Sequence, residues 1–503
     1  MSYGRWGIGA GPEWRSRRQP SGQTGGVSDR LVTELSAALA PDRVRSRPLE
    51  LTLYRRDASL LEGQPGVVCF PCTTDEVQAA VTIARRHGRS VVPRGSGTGL
   101  AGGAVPVGAD GAEPVVVVTT KMDAVLEIDE GARVAWVQPG VLNLDLSRDV
   151  AHLGLHFAPD PSSQQSCSVG GNVANNSGGP HCLAYGVTSA HVLAVEVVLP
   201  DGTLALLGGL DPEPPGYDLR GAFIGSEGTM GIAVRIAVRL SPDPPAVRTI
   251  LVDFASIETA AATVTGIIAA GLVPAALEMM DSRITAAVED YVHAGFPRDA
   301  AAVLLVEVDG LPAGLEAAAQ VVADVAGANG ARGVRVARDE AERALLWKGR
   351  KSAFGAIARI APDYYLHDTV VPRTRLVEVL AQVYEIAERH QLLVVNVFHA
   401  GDGNLHPLLL FDRRERGVMD RVLAAGAEMI AACVAVGGVL SGEHGIGLEK
   451  REHMGLIFSD ADLDAQRRLR LAFDPDQTCN PHKVLPSGSR CGDLQSVPAG
   501  AWI

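Results

Sequence analysis

The 503-residue chain lacks several features that would have assigned it to a class at once. It has no apolar run suited to a membrane: the longest uncharged stretch, Thr259–Leu277, carries Gly266, Gly271 and Pro274 and reads as a buried helix ending near Gly271, followed by a strand. Positive charge is in deficit, 45 Lys+Arg against 58 Asp+Glu, and the net charge of −13 argues against nucleic acid or an anionic membrane surface as the main partner. The seven cysteines are odd in number and follow no disulfide, zinc or ferredoxin spacing, which fits a reduced, cytoplasmic setting. Cys69-Phe70-Pro71-Cys72 has no thioredoxin-like context and reads as two partly buried thiols. No G-x-S-x-G elbow and no P-loop lysine occur, so serine-hydrolase and P-loop phosphotransfer chemistry fit poorly. Residues 1–27 have no signal-peptide core and read as a disordered leader.

What the chain does have is apolar mass and glycine. Apolar residues make up 47% and charged residues 20%, and the length suits two large domains or three ordinary ones. Glycine, 56 in 503, exceeds the average of about 7%. From about residue 50 to 240, short β-rich runs alternate with helical patterns, among them a helix Thr74–His87 capped by Thr74 or Asp75. Pro242-Asp243-Pro244-Pro245 breaks the chain. Beyond it the order strand, helix, strand, helix, strand, helix, strand over 249–338 is that of a ferredoxin-like split βαβ layer. The predicted organisation is α+β: a disordered leader 1–27, a first domain 28–243, a ferredoxin-like cap 244–460, a C-terminal helical segment 461–486 and a tail 487–503.

The glycines cluster. Arg94-Gly95-Ser96-Gly97-Thr98 opens a run to Gly103 directly after a strand, where successive N–H groups can form a nest for a pyrophosphate; the Pro- and Gly-rich stretch that follows excludes a nicotinamide Rossmann helix. Pro159–Gly179 carries almost no charge and little bulk, and its amides, hydroxyls and bare backbone suit hydrogen bonding to a heterocycle. Gly225–Ile232 is a third cluster. Separately, His399 and His406 stand at the two ends of a predicted hairpin over 392–411, and Glu443-His444 lies in the glycine loop 442–447. Two imidazoles and a carboxylate form a common open site for zinc or another first-row divalent ion.

These segments, with Leu277–Asp281, Pro362–Tyr365, His399–His406, Gly442–Gly447 and Phe473-Asp474-Pro475, resemble the vanillyl-alcohol-oxidase flavoprotein superfamily, in particular the group of FAD-binding glycolate oxidase subunits and FAD-linked D-2-hydroxyacid dehydrogenases. The resemblance spans about residues 50–485 and implies that 28–243 is a two-part FAD-binding domain of the vanillyl-alcohol-oxidase type, with 461–486 returning to the flavin. It implies that Arg94, Gly95, Ser96, Gly97 and Thr98 wrap the FAD pyrophosphate. It also implies that Pro161, Ser162, Ser163, Gly170, Gly171, Asn172, Ala174 and Gly178 line the flavin, with Glu227, Ile232 and Asn480 completing the cradle. Thr98 stands where some members attach flavin covalently through histidine, so the FAD is expected to be non-covalent. By the same resemblance His399, His406 and Glu443 hold a divalent metal, zinc or manganese, His444 is the base that takes the substrate hydroxyl proton, and Arg350 pairs with the substrate carboxylate.

Leu366 and Leu408 stand where relatives acting on 2-hydroxyglutarate have Lys and Asn. The implied activity is FAD-dependent oxidation of a short 2-hydroxy acid, glycolate or D-lactate. D-lactate or D-2-hydroxyglutarate dehydrogenase proper, and a non-catalytic flavin-binding subunit, stand as the alternatives. Electrons would leave through flavin-type and iron–sulfur partner subunits, which would also account for any association with a membrane.

Overall fold

The computed structural model describes residues 25–211 and 215–487; the expected leader up to residue 24, the tail from 488 and Cys491 lie outside the described residues. The first layer is a four-stranded sheet in the order Val44–Arg45, Val67–Cys69, Val115–Val118, Val91–Arg94, the last three strands parallel. Their near-continuous valine is what parallel strands covered on both faces require. Helix Gly25–Leu39 buries Leu31, Leu35 and Leu39 against this layer together with Val77, Ala80, Val81 and Ala84 of helix Thr74–Arg86. The second helix was expected, but its cap is Thr73, whose hydroxyl accepts from the Glu76 N–H. Helix Gly25–Leu39 was not expected, although the Leu31, Leu35, Leu39 spacing of four carries it.

The second layer is an antiparallel five-stranded sheet in the order Val125–Asp129, Val134–Val137, Ile232–Arg239, Val192–Val198, Leu204–Gly208. Both outer strands escaped the sequence reading because edge strands facing solvent lack a buried alternation: four of the five residues of Val125–Asp129 are exposed.

After Ser241–Pro242 the cap begins with strand Ala246–Phe254. Strands Ala331–Val336, Ala246–Phe254, Ala302–Gly310 and Ala276–Asp281 lie side by side in the order fourth, first, third, second, all antiparallel, which is the ferredoxin-like arrangement. Helices Ile257–Ala269 and Pro312–Ala328 cover one face and Ser282–Val292 the other. The stretch Thr259–Leu277 is thus helix, turn and strand, and among the described residues no helix is long and apolar enough to cross a membrane. The sheet continues past Ala276–Asp281 into Leu393–His399, so the cap core extends to the hairpin that bears His399 and His406.

The tail returns to the first layer: after helix Asp460–Phe473, Cys479 makes a parallel bridge with Val91, and the Asn480 N–H donates to the Val91 carbonyl at 2.7 Å. All six described cysteines are free thiols; Cys69 is fully buried and burial pushes its thiol up to about 12.

A buried ion cluster joins the cap to the N-terminal half. Glu307 on the cap accepts from Thr249 Oγ1 (2.6 Å), Trp347 Nε1 (2.5 Å) and Arg343 Nε and Nη2 (3.0 and 2.9 Å). His181 from the other half reaches Glu307 at 3.3 Å through Nε2 and Asp160 at 2.9 Å through Nδ1. Burial alone would lower the His181 pKa, but the two carboxylates outweigh it, and outweigh the nearby Arg343 and Lys351, raising it to about 10. A group whose folded pKa is raised contributes fully below its unfolded value near 6.5 and loses that contribution as pH climbs through the folded value. His181→Asn should therefore lower the melting temperature at pH 7, and its deficit against wild type should shrink as pH approaches 10. Parallel melting curves across pH 6–10 would contradict this.

Candidate active site

The three glycine clusters meet around one cavity of about 480 Å³ at the junction of the two sheets and the cap. Arg94–Thr98, Pro161, Ser162, Ser163, Gly170, Gly171, Asn172, Ala174, Glu227 and Ile232 all line it. Gly178 and Asn480 do not. Asn480 instead donates its side-chain amide to the carbonyls of Gly103 (2.8 Å) and Glu227 (2.6 Å), tying the first cluster to the third. Gly178 backs onto the cap: a Cβ there would lie 3.1 Å from Glu443 Oε2 and 3.0 Å from Cys182 Sγ. Sequence reasoning missed Thr119, Pro139, Phe354 and Tyr364 on the wall, residues that stand outside the three glycine clusters.

The cradle fits a flat, polyphosphate-bearing cofactor. Its polar surface is mainly backbone and small hydroxyls, and Ser168 caps the short helix Val169–Asn175 so that Gly170 and Gly171 in its first turn face the cavity. Gly170 passes so close to Pro139 that an added Cβ would stand 2.5 Å from the proline Cβ and 2.9 Å from its carbonyl oxygen. Only glycine fits that approach.

The cap contributes the chemistry. His406, Glu443 and His444 line the same cavity. His399, one ladder position from the Gly401–Gly403 turn, points Nε2 at Glu443 Oε1 (3.2 Å), and His406 Nε2 approaches the same oxygen at 3.1 Å. The three ligand-type atoms lie within 4.8 Å of one another. Burial alone would raise the Glu443 pKa, but the two imidazoles hold it well below the carboxylate range. Glu443 Oε2 has no hydrogen-bond partner among the described residues.

Behind the cluster each imidazole is oriented through Nδ1, His399 by Glu278 (2.8 Å) and His406 by the His367 carbonyl (3.3 Å). That pattern, with the outer nitrogen anchored and the inner one presented, is the one metal-binding histidines show. The residues present therefore fit a divalent cation with nitrogen and carboxylate ligands.

His444 stacks on His406, centroids 5.1 Å apart and planes 8° from parallel. Burial lowers its pKa to about 4, so the ring is neutral near pH 7, the state a base requires. Arg350 is not on the cavity wall. It is 1% exposed, its Nη2 lies 2.5 Å from Glu278 Oε2, and Nε and Nη1 have no hydrogen-bond partner among the described residues. The cation that the cap places on the wall is Lys351. Leu366 lines the cavity, whereas its ladder partner Leu408 is fully buried in the core and does not.

Residues 65–208 match an FAD binding domain and residues 243–484 the C-terminal domain of FAD linked oxidases. The chain is 44% identical over 449 residues to glycolate oxidase subunit GlcD of Escherichia coli K12, 89% of each chain being covered. The chain belongs to the FAD-linked oxidases. It is also 32% identical to a D-lactate dehydrogenase of Anaerostipes hadrus, over 84% of this chain and 90% of that one. The fold of this FAD-linked oxidase is shared with p-cresol methylhydroxylase, at a TM-score of 0.77 and 17% identity over 92% of this chain and 98% of that one. The matched FAD binding domain, residues 65–208, supplies Arg94–Thr98, Pro161–Ser163 and Gly170–Asn172 to the cavity between the glycine clusters. Gly170→Val should yield folded protein that purifies largely without flavin; wild-type flavin absorbance per chain would contradict the close approach to Pro139.

Proposed function

We propose that this FAD-linked oxidase converts a short 2-hydroxy acid, glycolate first and D-lactate second, into the 2-oxo acid. The observation that carries the proposal is the convergence of His399, His406 and Glu443, with His406, Glu443 and the adjacent His444 lining the cavity between the glycine clusters. The likeness to a glycolate oxidase subunit and to a D-lactate dehydrogenase supports the substrate class.

In this reading His399 Nε2, His406 Nε2 and Glu443 hold a divalent cation, zinc or manganese, which when bound supplies a Lewis acid that lowers the pKa of a coordinated hydroxyl. When bound, FAD supplies the acceptor for the hydrogen and electron pair leaving C2. The protein residues do the rest. His444 accepts the hydroxyl proton on its ring, which the stack on His406 holds in one plane. Phe354, Tyr364 and Leu366 give their part of the wall no charged group that would hold a distal carboxylate, which favours monocarboxylates.

Lys351, on the cavity wall, has its Nζ bonded to Gln164 at 2.6 Å; Arg350 stays the candidate for the substrate carboxylate from behind the wall, where Nη2 is paired with Glu278 while Nε and Nη1 are unpartnered. Electrons would pass on to partner subunits of flavin and iron–sulfur type.

Anaerobic addition of glycolate or D-lactate should bleach the flavin, and chelation should slow the bleaching, with recovery on adding zinc or manganese. His444→Ala should keep FAD and lose at least 100-fold in the reduction rate. No bleaching by any 2-hydroxy acid would leave a non-catalytic flavin subunit, and equal bleaching by D-2-hydroxyglutarate would remove the size preference. Arg350→Met should raise KM more than Lys351→Met in preparations of equal FAD content; the reverse order would transfer the carboxylate contact to Lys351.

A further inference from the structure

The loop that carries Glu443 and His444 does not hold itself in place. Six consecutive backbone N–H groups, Gly442 to Gly447, all donate to side-chain oxygens. Gly442 and Glu443 donate to Asp368 Oδ1 (3.1 and 3.2 Å) and His444 to Asp368 Oδ2 (2.9 Å). Gly445 donates to Ser441 Oγ (2.9 Å), and that hydroxyl donates to Asp368 Oδ2 at 2.6 Å. Ile446 and Gly447 donate to Glu227 Oε1 (2.7 and 3.1 Å). Asp368 is fully buried, and the equally buried Lys450 ammonium stands 3.2 Å from Oδ2 and 3.0 Å from the Asp368 carbonyl.

Asp368 lies beneath the stacked rings without bonding to either: Oδ1 is 4.0 Å from His406 Nδ1 and Oδ2 is 3.9 Å from His444 Nδ1. Its reach into the site therefore runs through the backbone of residues 442–444. We infer that Asp368 is the positioning residue of the site, the carboxylate that sets where Glu443 and His444 project. This rests on the roles proposed above for those two residues. Glu227 completes the arrangement from the flavin side, registering the same loop to the cluster 225–232.

A carboxylate is needed because it only accepts. An amide of the same shape turns one acceptor into a donor facing N–H and O–H groups, leaving at least one of them buried without a partner.

The test uses full-length protein with FAD bound. Asp368→Asn is paired with Lys450→Met so that no unbalanced ammonium is left buried, Ser441→Ala is a milder variant that alters no charge, and Asp281→Asn is a control. Asp281 is also a buried carboxylate, but it accepts from Ile284, Tyr384 and Asn396 away from the loop. The readouts are manganese affinity by EPR titration, FAD per chain, and kcat and KM of substrate-driven flavin reduction.

D368N/K450M should keep FAD, lose 10- to 100-fold in manganese affinity and lose kcat by at least tenfold with KM changed less. S441A should move the same quantities in the same direction by less, and D281N should lower melting temperature alone. Wild-type affinity and kcat in D368N/K450M, or in S441A should the double variant not fold, would overturn the inference, as would equal losses in D281N. Wild-type protein that binds no manganese would instead sink the metal reading, and the kcat of D368N/K450M would then decide whether Asp368 positions His444.

Discussion

Buried carboxylates at the junction of the two halves carry the architecture of the site. Glycine-rich segments can approach a ligand because they have no bulk, and for the same reason they cannot pack themselves into one conformation. Here Asp368 gathers the N–H groups of residues 442–444 and Glu227 those of 446 and 447, and Asn480 bridges the carbonyls of Gly103 and Glu227. Each of these polar side chains is itself buried, so its hydrogen bonds do not compete with water and the loops inherit the rigidity of the sheets behind them.

The same logic separates the residues that touch ligands from those that aim them. Glu278 stands between Arg350 and His399, binding Arg350 on one side and orienting the imidazole on the other. Glu307 does for the interface of cap and nucleotide-binding half what Glu278 does for the cluster: it is almost inaccessible and satisfied from several directions, and it links elements far apart in the chain. Buried charges of this kind are tolerated only when fully partnered, so each constrains its neighbours tightly.

Much of this was legible in the chain. The Pro242–Pro245 break and the alternation over 249–338 led to the ferredoxin-like cap, whose strands lie in the order 4-1-3-2. The glycine clusters led to segments that meet around one cavity, and His-x6-His with Glu443-His444 to side chains that converge beside it. The edge strands Val125–Asp129 and Leu204–Gly208 were not legible, because they are largely exposed on both faces and so lack the buried–exposed alternation that marks a half-buried strand. Asp368, Glu278 and Glu307 were not singled out either. A lone carboxylate in an apolar segment has no spacing that announces its partners, and their partners sit 36 to 126 positions away.

The sequence by itself determined which segments would be backbone-rich and which side chains could act as ligand or base, since those depend on residue type and local spacing. Only the tertiary structure decided where they point. It put Gly178 and Asn480 behind the cavity rather than on it, paired Arg350 with Glu278, sent Leu408 into the core while its ladder partner Leu366 faces the cavity, and placed the 442–447 loop in the grip of Asp368 and Glu227. Those outcomes depend on contacts between halves of the chain that come together only when both sheets and the cap have formed, and no local pattern encodes them.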